Sequence, residues 1–102
     1  MSIRICDYDF EGPYSYTSSL ENKAGVYVVL DKLSNGKYNV VDVGESSDVR
    51  DRVENHDRAE CWKKHATTIQ YAAYYTPGWT QDQRRSLEKK IRDAHDPPCG
   101  DQ

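Results

Sequence analysis

Two strand-forming segments joined by an Asn-Gly turn constrain the fold of this chain more than any other feature. Residues 25–31 are mostly β-branched or aromatic, and residues 38–43 repeat that composition after a loop. Between them, Asn35 and Gly36 both tolerate the positive φ that a tight hairpin turn requires. The pattern predicts an antiparallel hairpin. We expect Gly44 to end the second strand, at a point where a side chain would obstruct close approach of the backbone.

The rest of the chain after the hairpin alternates between helical and strand signals. Ser46, Ser47 and Asp48 offer capping oxygens for a helix that runs from about residue 48 to His56. A helix anchored by Trp62, a strand, and a helix with Thr80 as its N-cap are then predicted over residues 59–65, 67–75 and 81–94, and a Pro-Pro pair forbids further helix. The sequence therefore predicts an α/β fold with a three-stranded antiparallel sheet flanked by helices.

The first part of the chain carries weaker signals. Residues 1–23 are polar and rich in tyrosine, and Ile3 and Ile5 alternate with polar neighbours as in a short edge strand. We interpret residues 1–23 as an N-terminal extension and residues 24–102 as the domain proper.

Composition and charge restrict the classes of function. No stretch approaches the run of about 20 apolar residues that crosses a bilayer, and no secretory signal opens the chain. We therefore expect a cytoplasmic protein without a membrane partner, with its three cysteines, Cys6, Cys61 and Cys99, as reduced thiols. A net charge of −3 argues against coating nucleic acid by bulk electrostatics. Residues 49–102 nevertheless hold ten of the fourteen basic side chains, so a local basic face remains open.

Three short motifs along the chain resemble the GIY-YIG nuclease family. Gly25-Val26-Tyr27 is similar to the first family motif, and Asp42-Val43-Gly44 stands where the second is expected. The family places an Arg ten and a His fourteen residues after the second motif begins, which corresponds to Arg52 and His56. Glu88, on the last predicted helix, resembles the family's acidic residue. The resemblance covers roughly residues 24–100 and implies a nuclease fold and activity.

The resemblance implies a role for each of these residues in hydrolysing a DNA phosphodiester. Glu88 would hold Mg²⁺, or Mn²⁺ in its place, through an oxygen ligand. Tyr27 would activate the attacking water as a general base or hold it in line. Arg52 would stabilise the charge of the transition state, and His56 would handle protons or orient groups near the phosphate. The residues alone also allow plainer roles: packing for Tyr27, and a surface ion-pair ladder between Glu88 and its flanking arginines.

The second motif departs from the family because Asp42 stands in place of a tyrosine. The departure replaces a hydroxyl with a negative charge, which favours either a metal-binding role for Asp42 or an ion pair with Arg52. Alternation along the strand puts Tyr38, Val40 and Asp42 on one face, but Tyr38 is about 13 Å away and does not replace the missing hydroxyl. An inactive module that binds nucleic acid or protein is therefore the alternative function. Specificity would require a homodimer or a protein partner.

A second set of residues has metal-ligand chemistry. Cys61 and His65 stand four residues apart, as do His95 and Cys99, and together they are a candidate tetrahedral zinc set. We expect the two pairs not to meet, and hence no tight zinc.

Overall fold

The computed structural model describes residues 1–100 and shows one antiparallel sheet of five strands. In chain order these are β1 (Ser2–Ile5), β2 (Tyr8–Tyr14), β3 (Gly25–Lys32), β4 (Tyr38–Ser46) and β5 (Ile69–Tyr75). Across the sheet the order is β1-β2-β5-β3-β4, and every neighbouring pair is antiparallel. The α/β architecture stands, but the prediction of a three-stranded sheet is wrong.

The two additional strands come from the predicted N-terminal extension. Ile3 and Ile5 lie on β1, which is an edge strand as predicted, and a two-residue turn at Cys6 and Asp7 leads into β2. Strand β2 pairs with β5, so residues 2–14 complete the same sheet that residues 25–75 begin. The last two residues of the predicted 24–102 domain lie outside the described residues.

Within residues 1–100, three α-helices cover the two faces of the sheet, and a short 3-10 helix (Thr17–Ser19) precedes β3. The α-helices are α1 (Val49–Glu54), α2 (Ala59–His65) and α3 (Gln81–His95). Helix α3 buries Leu87 and Ile91 against one face, together with Phe10 and Val28. Helices α1 and α2 cover the other face. As predicted, Thr80 caps α3, in a capping box with Gln83.

Strand β3 is the centre of the sheet because both of its neighbours pair with it along its length. Six consecutive residues, Gly25 to Leu30, are buried. Tyr27 sits between two small partners, Gly44 on β4 and Ala73 on β5. The small residues on either side leave room for the tyrosine ring.

A β-bulge on β4 changes the predicted facing of its side chains. Val29 pairs with Asp42, but Leu30 pairs with Val40, so Val41 is the extra residue. Val40 packs in the cluster beneath α3, whereas Asp42 shares the face of Val29. The prediction that Tyr38, Val40 and Asp42 share one face is therefore wrong, and the bulge brings Asp42 to the side of Tyr27.

The first helix is shorter than predicted. Helix α1 ends at Glu54, and His56 follows its C-cap, so Arg52 and His56 do not lie on one helical face. Asp48 is the N-cap residue but accepts no side-chain capping bond. Instead, the amide of Asp51 donates to the Asn22 side chain, which ties α1 to the segment before β3.

Within residues 1–100, no helix combines the length and apolar character needed to cross a membrane.

Candidate functional site

Of the four predicted catalytic residues, His56 contacts the hydroxyl of Tyr27, and the other two, Arg52 and Glu88, act on it electrostatically. These residues come from β3, α1, the loop after α1 and α3. We call this set the Tyr27 cluster.

The contact between Tyr27 and His56 fixes the proton positions in the cluster. Tyr27 Oη lies 2.7 Å from His56 Nε2, and the backbone N–H of Arg58 donates to His56 Nδ1 at 3.0 Å. Because Nδ1 accepts a hydrogen bond, the neutral ring carries its proton on Nε2. That N–H donates to Tyr27 Oη. The proton of Tyr27 itself is then available for another acceptor.

Burial shifts the pKa of Tyr27 and of His56 in the direction that favours the neutral form of each group. Loss of hydration raises the pKa of Tyr27 to about 12, although the nearby cations of Arg52 and Arg58 oppose the rise. Loss of hydration, followed by the same two cations, lowers the pKa of His56 to about 4. Near pH 7 the phenol is therefore protonated and the imidazole is neutral.

Gly44 leaves the space that the tyrosine hydroxyl needs. A Cβ added at Gly44 would collide with the hydroxyl and ring of Tyr27. The strand does not end at Gly44, as predicted, but continues to Ser46. The prediction that a side chain at this position would obstruct another group holds in part. The obstructed group is the side chain of Tyr27, whereas the prediction named a backbone.

Arg52 remains a partly solvated cation at the rim of the Tyr27 cluster. Its side chain is 41% exposed, and the one carboxylate that its guanidinium contacts within residues 1–100 is that of Asp57, which is exposed and 3.2 Å away. Asp57 Oδ1 is also 3.2 Å from His56 Nδ1. A surface pair of this kind is weak, so Arg52 is available to an incoming anion.

Glu88 is a half-buried carboxylate without a strong partner. The predicted ladder with its flanking arginines does not form as a pair of close contacts, because Arg84 bonds Glu45 at 3.1 Å. Arg92 lies 3.7 Å from Glu88, with its stronger bonds made elsewhere. Burial raises the pKa of Glu88, and the carboxylate of Glu45 adds to the rise against the opposing cation of Arg92.

Asp42 is fully buried and fully bonded. Its two oxygens accept five hydrogen bonds at 2.8 to 3.3 Å, from Arg58 (two), Trp62, Arg92 and the amide of Val43. A carboxylate has about four lone-pair positions, so no oxygen is left for a metal ion unless a protein donor moves. This arrangement favours a structural role over the predicted metal-binding one. Its ion-pair partners are Arg58 and Arg92, not Arg52.

The sequence analysis missed three residues that organise this site: Arg58, Trp62 and Arg92. Trp62 was predicted only as a helix anchor, and Arg92 only as a neighbour of Glu88. A buried aspartate on a strand needs positively charged partners, and from this requirement alone one could have predicted that arginines pair with Asp42. Nothing in the local sequence indicates which arginines they are.

The cysteines differ from the prediction. Cys61 and Cys99 form a disulfide between α2 and the segment after α3, and only Cys6 is free. The predicted separation of the two Cys/His pairs is also wrong in part, since ligand atoms of Cys61, His65 and Cys99 lie within 4.8 Å of one another.

We expect Asp42→Asn to destabilise the fold strongly, because it leaves Arg58 and Arg92 without the buried anion that compensates them. Removing one partner of a buried ion pair costs about 3 to 5 kcal/mol. Urea unfolding of wild type and variant measures the loss. Asp93→Asn removes an exposed carboxylate paired with Lys89 and serves as the matched control, with an expected loss of about 0.5 kcal/mol or less. Equal losses in the two variants would contradict the structural role of Asp42.

The lowered pKa of His56 predicts acid sensitivity. In the unfolded chain the imidazole takes up a proton below about pH 6.5, whereas in the folded protein it stays neutral to about pH 4. Stability therefore falls as the pH falls from 6.5 to 4, by up to about 3 kcal/mol, and is unaffected by this group above pH 6.5. Denaturant unfolding across this range should show the loss in wild type and a flatter profile in His56→Gln. If the stability of wild type and of His56→Gln changed with pH in the same way, the acid sensitivity could not be assigned to His56.

No protein-family model matches this chain, and a search of curated proteins gives no match either. The resemblance to the GIY-YIG nucleases therefore stays a prediction from the motifs and their spacing.

Proposed function

We propose that the chain is a divalent-metal-dependent phosphodiesterase that cleaves DNA, as its resemblance to the GIY-YIG nucleases implies. The observation that supports this proposal is the Tyr27 cluster itself. One hydroxyl, one neutral imidazole, one accessible guanidinium and one poorly compensated carboxylate act on each other although they lie up to 61 residues apart in sequence. Packing alone does not require this combination of groups.

Glu88 is the residue that fits the metal. Its carboxylate is 26% exposed, and the ion pair that it makes among the described residues is a long one, 3.7 Å to Arg92. Mg²⁺ and Mn²⁺ suit such a site because Mg²⁺ commonly binds through one or two carboxylates and keeps several waters. When bound, the ion supplies Lewis-acid polarisation of a phosphate oxygen. Asp42 does not belong to this ligand set, since protein donors occupy both of its oxygens.

Tyr27 serves this proposal better as a group that orients water than as a free base. Its pKa of about 12 keeps it protonated near pH 7, and His56 donates to its oxygen. The tyrosine proton is then free to be donated to a water or a phosphate oxygen. Of the two roles that the resemblance implies, holding the water in line is the one that the protonation state supports.

Arg52 supplies the charge that a phosphoryl transition state requires. Its guanidinium is permanently cationic and forked, and it pairs with an exposed carboxylate, that of Asp57. Arg58 differs because the buried carboxylate of Asp42 already holds it in place. Arg52 can therefore move onto a phosphate without disrupting the core. DNA is the expected partner, a homodimer or a protein partner would add specificity, and a cytoplasmic location is part of the same proposal.

The burial of Tyr27 favours the second candidate function, an inactive module that binds nucleic acid or protein. The residue is 1% exposed, so its hydroxyl is shielded from a substrate in solution. Asp42 also removes the second tyrosine hydroxyl of the family pattern. An inactive module would retain the partly exposed Arg52 as a phosphate contact and would not need metal at Glu88.

Cleavage of supercoiled plasmid DNA with Mg²⁺ or Mn²⁺ tests the first candidate. We expect nicking that Glu88→Gln abolishes, because the variant loses the metal ligand. Arg52→Ala should lower the rate by about a hundredfold, as expected for losing a preorganised charge at the transition state. Two exposed residues provide matched controls, and Glu60→Gln and Arg85→Ala should both cleave as wild type does.

If wild type is inert with both metals on duplex, branched and single-stranded DNA and on RNA, the nuclease proposal is wrong. Fluorescence anisotropy then tests the second candidate. A binding module should hold DNA without metal, more weakly as salt increases, and Arg52→Ala should weaken binding while Glu88→Gln should not.

A further inference from the structure

Cys61, Cys99 and His65 form a compact group of metal-ligand atoms that the Tyr27 cluster does not use. Their sulfur and imidazole nitrogen atoms all lie within 4.8 Å of one another. Cys61 and His65 stand one turn apart on α2, so both project from the same side of the helix. Cys99 approaches from the segment after α3 and is fully buried.

The spacing of this group is close to what a tetrahedral zinc site needs. With Zn–S bonds of about 2.3 Å and Zn–N bonds of about 2.0 Å, the ligand atoms of one ion lie roughly 3.5 to 3.8 Å apart. Reduction of the disulfide lets the two sulfurs separate to a non-bonded contact, which is about that distance. Cys99 stays in place on reduction because its amide bonds Val41 O at 3.1 Å and its carbonyl accepts from Arg92 at 2.9 Å.

Solvent reaches the group from one side. His65 is exposed and lines a surface depression of about 270 Å³ together with His95 and Pro98. An ion that approaches from this depression meets His65 first, one helical turn from the partly exposed Cys61. His95 is not part of the compact group, so the four-residue candidate set considered in the sequence analysis reduces to three ligands.

We propose that in the dithiol state Cys61, Cys99 and His65 bind one Zn²⁺, and that the Cys61–Cys99 disulfide is the metal-free state of the same site. Zinc binding replaces two S–H bonds with two Zn–S bonds and releases two protons, so affinity falls at acid pH. The disulfide state forms by exchange with a low-molecular-weight disulfide. One S–S bond forms in the protein and one breaks in the oxidant, which leaves as two thiols carrying the two protons.

Titration of the full chain with Zn²⁺ and with Co²⁺ tests this inference, with and without prior reduction by a phosphine. The reduced protein should bind one equivalent of Zn²⁺, and Co²⁺ should give the thiolate charge-transfer band and the visible spectrum of a tetrahedral ion. The oxidised protein should bind neither. Zinc should also raise the melting temperature of the reduced protein, because it binds the folded state.

Variants separate this site from adventitious binding. Cys61→Ser and Cys99→Ser should each abolish stoichiometric binding, and His65→Gln should weaken it at least tenfold in competition with a chelator. Cys6→Ser, which removes the free thiol, is the matched control and should bind as wild type does. Absence of stoichiometric zinc from the reduced protein, folded or not, would overturn the inference, as would zinc binding that survives Cys99→Ser. The disulfide would then be a structural cross-link alone.

Discussion

The structure depends on the buried carboxylate of Asp42. Taking this charge out of water is costly, and five donors from three elements compensate it. Arg58 and Trp62 bring α2 to strand β4, and Arg92 brings α3 to the same point. Two helices that cover opposite faces of the sheet are thus joined at its edge. Apolar burial alone would hold each helix to its face without fixing this relative position.

The same pairing distributes charge in the Tyr27 cluster. Asp42 pairs with Arg58 and, together with the carbonyls of Val43 and Cys99, with Arg92, while Glu45 pairs with Arg84. Two charged groups are left with weak partners, Arg52 at the rim and Glu88 on α3. Asp42 stands where the family that the motifs resemble has a tyrosine. It does not present a negative charge to a phosphate, because Arg58 and Arg92 compensate that charge inside the protein. Its presence leaves the anion-binding and cation-binding groups of the proposed site in place.

Local signals in the sequence were sufficient where neighbouring residues decide the structure. The Asn35-Gly36 turn, the buried run of β3, the α2 helix and the Thr80 cap were all identified from sequence patterns that act over a few positions. The pairing of β2 with β5 joins segments about 60 residues apart, and no local pattern specifies it. The bulge at Val41 is likewise not specified by a local sequence pattern, because it is defined by the register of β4 against β3. A one-residue slip reverses the facing of every later side chain, and for that reason the face of Asp42 was predicted wrongly.

Edge strand β4 connects the two candidate sites. An exposed edge presents unpaired amides and carbonyls, and here Arg92 donates to Val43 O at 2.5 Å while the Cys99 amide donates to Val41 O. Arg92 also holds the carbonyl of Cys99 and approaches Glu88. A single guanidinium therefore contacts the cysteine segment, the buried aspartate and the proposed metal ligand. Because the guanidinium of Arg92 is rigid and planar, its bonds to Asp42 and to the Cys99 carbonyl fix the position of the cysteine segment relative to Glu88.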